Sequence, residues 1–253
     1  MNQKNMSSLS RMLNVLDFFT EQTPTWSAEE IALKLDVSIP TCYRYLKLLV
    51  DAGLLQHQTE SQYTFGPRIL TLDYYVRETD PVLHASTPYL KELVDKTGFD
   101  CLLTASYGDK ILDTHHERSN NNPLLKYGRG RPRPLFLGAS PKILLAYESS
   151  RQLRKIFNAH AQDLTQYNLP GDWEGFRAYY LNIKKQGYYF SAGELESHLG
   201  AIAVPVLNQD QSGARAALSL VADISRFEVI DIEKMFILLK VAAQNISQNL
   251  HQT

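Results

Sequence analysis

Apolar side chains recur at helical spacing in residues 38–53, where Cys42, Tyr45, Leu46 and Leu49 fall at i, i+3, i+4 and i+7 and form one stripe. The opposite face carries Thr41, Tyr43, Arg44 and Lys47, with no carboxylate before Asp51. Ser38 suits the amino-terminal cap, Pro40 the first turn and Gly53 a left-handed carboxy-terminal residue. The pattern predicts a helix whose stripe docks on two preceding helices and whose polar face enters a DNA major groove.

The segments around it fit that arrangement. Ser8 or Ser10 can open a first helix with Met12, Leu13, Leu16 and Phe19 on its inner face, broken at residues 23–25. Ser27 and Glu30 fit a capping box for a second helix lined by Ile31, Ala32 and Leu35. Two short helices joined by a short turn make a helix-turn-helix. Beyond Gly53, residues 54–57 and 62–65 flank a polar tip and predict a β-hairpin with a four-residue loop, which is a wing. Gly66-Pro67 ends the hairpin, and residues 68–78 predict a linker helix with Ile69, Leu70, Leu72 and Tyr75 on its apolar face.

The remainder mixes both periods. Helices are predicted at 81–97 (despite Pro88), 140–147 with Ser140 as cap, 151–159, 173–186 and 227–250. Strands are predicted at 101–107 and 110–116 about a turn at Gly108-Asp109, then at 188–191, 201–207 and 214–221. A glycine-, proline- and arginine-rich loop spans 126–138. Strands bracketed by helices define an α+β domain.

Charge changes the picture more than composition does. The 253 residues carry a net charge of -1, so the whole chain is no polycation. Residues 1–68 hold six cations against seven anions. DNA affinity then requires the cations to cluster on one face and more than one copy to bind, as in a dimer on two half-sites. The two distant cysteines read as buried free thiols of a reducing compartment. There is no apolar run of membrane-spanning length and no signal-peptide core, so a cytoplasmic protein with no membrane partner is expected.

Catalytic chemistry finds little support. There is no Gly-x-Ser-x-Gly elbow. The dense cluster His115-His116-Glu117 lies on a predicted strand, where neighbouring side chains point to opposite faces. It reads as a strand end facing solvent, so no catalytic residue, metal or cofactor is expected. Gly128-Arg129-Gly130-Arg131-Pro132 resembles the core of an AT-hook, but it runs straight into the apolar Leu135-Phe136-Leu137.

Residues 8–78 resemble the winged helix-turn-helix and linker of the IclR family of bacterial transcription regulators. The resemblance rests on Leu-x-x-Leu-x-x-Phe in the first helix, Glu-Ile-Ala-x-x-Leu in the second, Thr41-x-x-Arg44 with Leu46 and Leu49, Gly53-Leu54-Leu55, and Tyr63-x-x-Gly66-Pro67-Arg68-x-Leu70. Four later segments extend it: Pro134 through Ala146, Gly187 through Glu194, Ala201 through Val206, and Ala216 through Leu220. It implies a winged helix-turn-helix over residues 1–66, a linker helix over 67–79, and a GAF-like antiparallel-sheet effector domain over 80–253. It further implies a homodimer or homotetramer that binds a double-stranded DNA operator and senses a small organic acid, aromatic or dicarboxylic.

On that reading Arg44 reads bases, because its planar fork matches guanine O6 and N7. Ser38, Pro40, Thr41 and Tyr43 share its face, and Lys47, Arg11, Arg68 and Lys4 suit phosphates. By the resemblance, Arg133, Leu144, Ser191, Ala201, Ser219 and Val221 face the effector pocket, with Phe136 and Phe190 nearby and Arg133 holding a carboxylate. The family often places an acid or a cysteine where this chain has Ser191 and Ala201. The competing readings are an enzyme acting on a small carboxylate and an architectural DNA-binding protein that also uses Arg129 and Arg131.

Overall fold

The computed structural model describes residues 7–108, 110–120 and 128–250. Lys4, Asp109 of the predicted turn and the first residues of the 126–138 loop lie outside the described residues. The chain divides between Thr79 and Asp80 into two compact units.

The first unit opens with α1 (Ser8–Asn14), which tightens into a 3-10 turn at Val15–Phe18. Its cap is Ser7, whose hydroxyl accepts from the Ser10 amide at 3.1 Å, rather than Ser8 or Ser10. The 3-10 turn changes which side chains face inward. Val15 and Phe19 are buried, whereas Leu13, expected inside, remains exposed.

In α2 (Ala28–Leu35) the capping box is complete: Ser27 Oγ accepts from the Glu30 amide at 3.2 Å, and Glu30 Oε2 accepts from the Ser27 amide at 2.8 Å. In α3 (Ile39–Asp51), Cys42, Tyr45, Leu46 and Leu49 are all buried. The Cys42 thiol donates to the Ala28 carbonyl at 3.3 Å, tying α3 to the start of α2. Ser38 departs from the expected capping role. Its side chain bonds no amide, and its hydroxyl pairs with that of Thr41 at 2.9 Å.

The wing consists of β2 (Leu55–His57) and β3 (Gln62–Phe65), antiparallel, with the expected four-residue tip. A two-residue strand β1 (Trp26–Ser27) pairs with β3 and extends the sheet to the order β1-β3-β2. Two residues are too few to show a period, so this strand was not legible in the sequence.

The Gly-Pro-Arg ending of the wing has a physical cause. A Cβ on Gly66 would sit 2.3 Å from the carbonyl oxygen of Gly53, so only glycine fits where the wing exit crosses the end of α3. Gly53 itself has φ +71, the left-handed geometry that closes the helix. The Arg68 amide donates to the Gly53 carbonyl at 3.1 Å, and Arg68 Nη1 donates to the Ala52 carbonyl at 3.0 Å. A cation thus satisfies the negative end of α3. Arg68 also begins α4 (Arg68–Thr79), which has no buried residue and leaves Leu70, Leu72, Tyr74, Tyr75 and Val76 exposed.

The second unit is built on a six-stranded antiparallel sheet. Its strands are β4 (Asp100–Tyr107), β5 (Lys110–Glu117), β6 (Pro132–Arg133), β7 (Tyr189–Ala192), β8 (Leu199–Leu207) and β9 (Ala214–Asp223), in the order β6-β5-β4-β9-β8-β7. Before it comes α5 (Pro81–Thr97), with the bounds its periodicity predicts, closed by Gly98. Between β6 and β7 lie α6 (Ala139–Ala146), α7 (Ser150–His160) and α8 (Trp173–Gln186).

The single helix expected at 227–250 is two, α9 (Ile224–Glu228) and α10 (Ile232–Asn249). Asp231 interrupts it by accepting from the amides of Glu233 and Lys234, a fresh amino-terminal cap. Ser140 likewise does not cap. The cap is Gly138, and Ser140 lies inside α6, buried.

Helices cover both faces of the sheet. Cys101, Leu103, Ile202, Val204, Leu218 and Leu220 pack with Leu90, Leu93, Leu239 and Ile246 of α5 and α10. Their alternates Ala203 and Ala217 meet Ile143, Phe176 and Tyr180 of α6 and α8. Burial on both faces explains why β8 and β9 read as nearly continuous apolar runs. Among the described residues no helix is long and apolar enough to cross a membrane.

Gly66→Ala should destabilise the first unit by about 2–4 kcal/mol, because backbone must move; an unchanged urea midpoint would contradict the close contact. Burial pushes the Cys42 thiol up to about 11. Its folded-state pKa exceeds the unfolded one, so its contribution is intact below the ordinary thiol value and lost as pH rises through about 11. Native Cys42 should therefore resist a thiol reagent at pH 8 and react once urea unfolds the chain.

Candidate DNA-binding face and effector cavity

On α3 the polar face is open. Tyr43 is 47% exposed, and Arg44, Lys47, Ser38 and Pro40 are exposed, with Thr41 half-buried. Tyr43 donates its hydroxyl to Glu29 Oε1 at 3.2 Å, and that carboxylate raises the phenol's pKa. An anion therefore stands beside the cations of this exposed face, which the residue types alone did not disclose. The Arg44 guanidinium lies 5.9 Å from the Tyr45 ring. Lys34, by contrast, sits over the Phe18 and Trp26 rings at 4.9 and 4.5 Å, where it packs.

Two of the proposed phosphate contacts have structural surroundings of their own. Arg68 holds the carboxy-terminal end of α3 through Ala52. Arg11 is half-buried, and its Nε is buried without a hydrogen-bond partner among the described residues.

In the second unit, Arg133, Ser191, Ala201, Ser219 and Val221 converge on one cavity, together with Leu102, Gly138, Ser140 and Glu194. Small side chains create it: β8 and β9 present Ala201 and Ser219 on this face, while the larger Ile202, Leu218 and Leu220 turn to the other. Ser140 Oγ donates to Ser219 Oγ at 3.1 Å. The enclosed space is about 30 Å³, room for a water or two rather than for an aromatic acid.

Leu144 is not among the lining residues. Its position on α6 buries it in the core shared by α6 and α8. Phe190 and Phe136 also point elsewhere. Phe190 alternates with Ser191 and packs on Phe227, ring centroids 5.1 Å apart, and Phe136 meets Phe176 edge to face and Tyr167 at a tilt.

Arg133 is held by Asp113, which is fully buried. Both Asp113 oxygens lie 2.9 Å from Arg133 Nε, and Oδ1 also accepts from Thr104 Oγ1 at 2.9 Å. Burial pushes the Asp113 carboxyl above the usual carboxylate range, and Arg133 and Thr104 pull it back. The alternation of β5 places Asp113 inward, a signal present in the sequence.

The arginine-rich segment is part of this sheet edge. The Gly130 amide donates to the Asp113 carbonyl at 2.8 Å, and Arg129 donates to the Thr114 carbonyl. Such fixed hydrogen bonding is unlike an AT-hook tail. The His116 side chain, expected to face solvent, is instead only 6% exposed and lies 2.8 Å from Asp100, which also accepts from the Ser119 amide. Among the described residues no group of three or more His, Cys, Asp or Glu could hold a metal ion.

A winged helix with an open recognition face, carried with a cavity-bearing α+β unit, is the architecture of a DNA-binding regulator with a sensor domain. Comparison with known proteins agrees. The IclR helix-turn-helix domain matches residues 8–59, and the bacterial transcriptional regulator IclR carboxy-terminal domain matches residues 75–248. The transcriptional regulator KdgR of Dickeya chrysanthemi is 26% identical over 248 residues, covering 97% of this chain and 80% of that protein. The Pca regulon regulatory protein of Pseudomonas putida is 26% identical over 243 residues, covering 94% and 81%. A crystal structure of an IclR homolog from Microbacterium hydrocarbonoxydans complexed with 4-hydroxybenzoate superposes with a TM-score of 0.78 at 20% identity, covering 98% of this chain and all of that one. The chain belongs to the IclR family and is a transcriptional regulator.

Asp113→Ala leaves a buried guanidinium without this counter-ion and should cost about 3–5 kcal/mol of stability in the second unit. Chemical denaturation of the full chain would measure it, with no loss counting against a structural ion pair.

Proposed function

We propose that this regulator binds its operator through the exposed face of α3 and that a small organic acid entering the cavity of the second unit modulates that binding. The observation that carries the reading is the division of α3: four side chains buried, and Tyr43, Arg44 and Lys47 in solvent. Arg44 serves base readout, Thr41 and Tyr43 make groove contacts with Ser38 and Pro40 at the leading end, and Lys47 and Arg11 meet phosphates. Arg68 is better suited to hold α3 in place than to reach the duplex.

A homodimer or homotetramer is part of the proposal. One winged helix has too little positive charge for tight binding alone, and two half-sites double its contacts. The uncovered Leu70, Leu72 and Val76 of α4 support self-association.

For the effector, Arg133, Ser191 and Ser219 provide polar contacts among Leu102, Ala201 and Val221, a mixture suited to an organic acid. The 4-hydroxybenzoate bound by the Microbacterium homolog supports an aromatic acid. The small closed volume requires the acid to select a wider state, and that difference couples it to the DNA-binding unit. The covalent route is α4.

Arg44→Ala should lower affinity for genomic fragments retained by the wild-type protein by about 10- to 100-fold in a gel shift, with folding intact. Unchanged affinity would remove Arg44 from the reading face. Calorimetry with 4-hydroxybenzoate and a panel of dicarboxylates should show heat that Ser219→Val abolishes, and no heat from any of them would argue against an acid sensor.

A further inference from the structure

Glu194 has a second side. One face of this residue lines the closed cavity, and the other lines an open cavity of about 700 Å³ formed by Lys142, Gln166, Tyr167, Asn168, Tyr179 and Tyr189. Those residues come from α6, α8, β7 and the 3-10 turn at Leu164–Tyr167 with its neighbour Asn168. None of them belongs to the DNA-binding face or to the residues assigned to the acid.

A buried lysine forms the floor. Lys142 is 5% exposed, and its ammonium donates to Glu194 Oε2 at 2.7 Å and to Tyr189 OH at 2.9 Å. Tyr179 donates to Tyr189 at 3.2 Å, and Tyr189 donates to Glu194 Oε1 at 2.9 Å. Glu194 Oε2 also accepts from the Gly138 amide at 3.0 Å. Burial, with Tyr179 and Glu194 beside it, pushes the Tyr189 hydroxyl upward, so it stays protonated as a donor.

Two features define the chemistry that would fill this space. The Lys142 and Glu194 charges cancel, so the floor offers no net attraction to an ion. It still offers both hydrogen-bond senses: the remaining ammonium proton donates, and Glu194 and the Tyr179 oxygen accept. At the rim, the exposed Gln166 and Asn168 carry amides that both donate and accept, while the three tyrosine rings and Leu137 provide apolar surface. Paired donors and acceptors beside aromatic faces match a molecule with vicinal hydroxyls on one face and C–H groups on the other. The volume suits one or two sugar rings.

We propose that this open cavity is a second ligand site, for a neutral, hydroxyl-rich molecule of the sugar or polyol class, distinct from the acid site. The proposal does not depend on the acid reading. Glu194 is a wall of both cavities and accepts from the Gly138 amide at the start of α6, but the two sets of lining residues are otherwise separate.

The test is calorimetry or ligand-observed NMR on the full chain with glucose, xylose, maltose and inositol, and gluconate as the charged counterpart of glucose. Saturable binding of at least one neutral probe is expected, weakened about five- to tenfold by Tyr179→Phe and by the surface change Gln166→Ala, and unaffected by Ser219→Val. Circular dichroism establishes that each variant is folded. Gln166→Ala keeps the test decisive if Tyr179→Phe perturbs the core. The proposal is overturned by no saturable binding of any neutral probe, by binding that survives both cavity variants, by loss in Ser219→Val, or by a preference for gluconate over glucose that persists in Ser219→Val.

Discussion

The burial of one side of α3 is the constraint on which the DNA-binding unit depends. Cys42, Tyr45, Leu46 and Leu49 are removed from water together, and each large apolar side chain so buried contributes about 1.5–3 kcal/mol. Once that stripe is seated, rotation about the helix axis is no longer free, and Tyr43, Arg44 and Lys47 must face out. The Cys42 thiol on the Ala28 carbonyl fixes one end, and the Gly53, Gly66 and Arg68 contacts fix the other. The same packing that stabilises the unit therefore aims its cations.

The sensor unit uses alternation across a sheet to similar effect. One face of β8 and β9 is filled by Ile202, Val204, Leu218 and Leu220, which pack against α5 and α10. The other face carries Ala203 and Ala217, which pack against α6 and α8, and Ala201 and Ser219, whose small volume leaves space near the start of α6. Large residues on one side thus hold the sheet rigid while small ones on the other leave a cavity. Buried charge around that cavity is held in pairs, Arg133 with Asp113 and Lys142 with Glu194, as low-dielectric surroundings require.

Much of this was legible. The helical period located α3 and its buried residues, the Ser27–Glu30 pair located the start of α2, and turn residues located the wing and α5. Local propensity failed where a neighbour in space outbid it. Ser140 has the chemistry of a cap, but its hydroxyl meets Ser219 on β9 instead. His116 has the chemistry of a surface residue, but Asp100 draws it inside. Leu144 matched the family pattern for the pocket, yet its place on α6 turns it into the core.

The sequence by itself determined most of the helices and strands, which face of α3 is apolar, and the family, because these follow from period, caps and turn residues within a few positions of one another; β1, β6 and the break between α9 and α10 lay outside that reach. The tertiary structure alone decided which charges are partnered and which are open. Arg133 finds Asp113 twenty residues away and Lys142 finds Glu194 fifty-two away, separations over which no local pattern carries information. It alone also showed that Glu194 stands between two cavities, since a wall is defined by what lies on both sides of it.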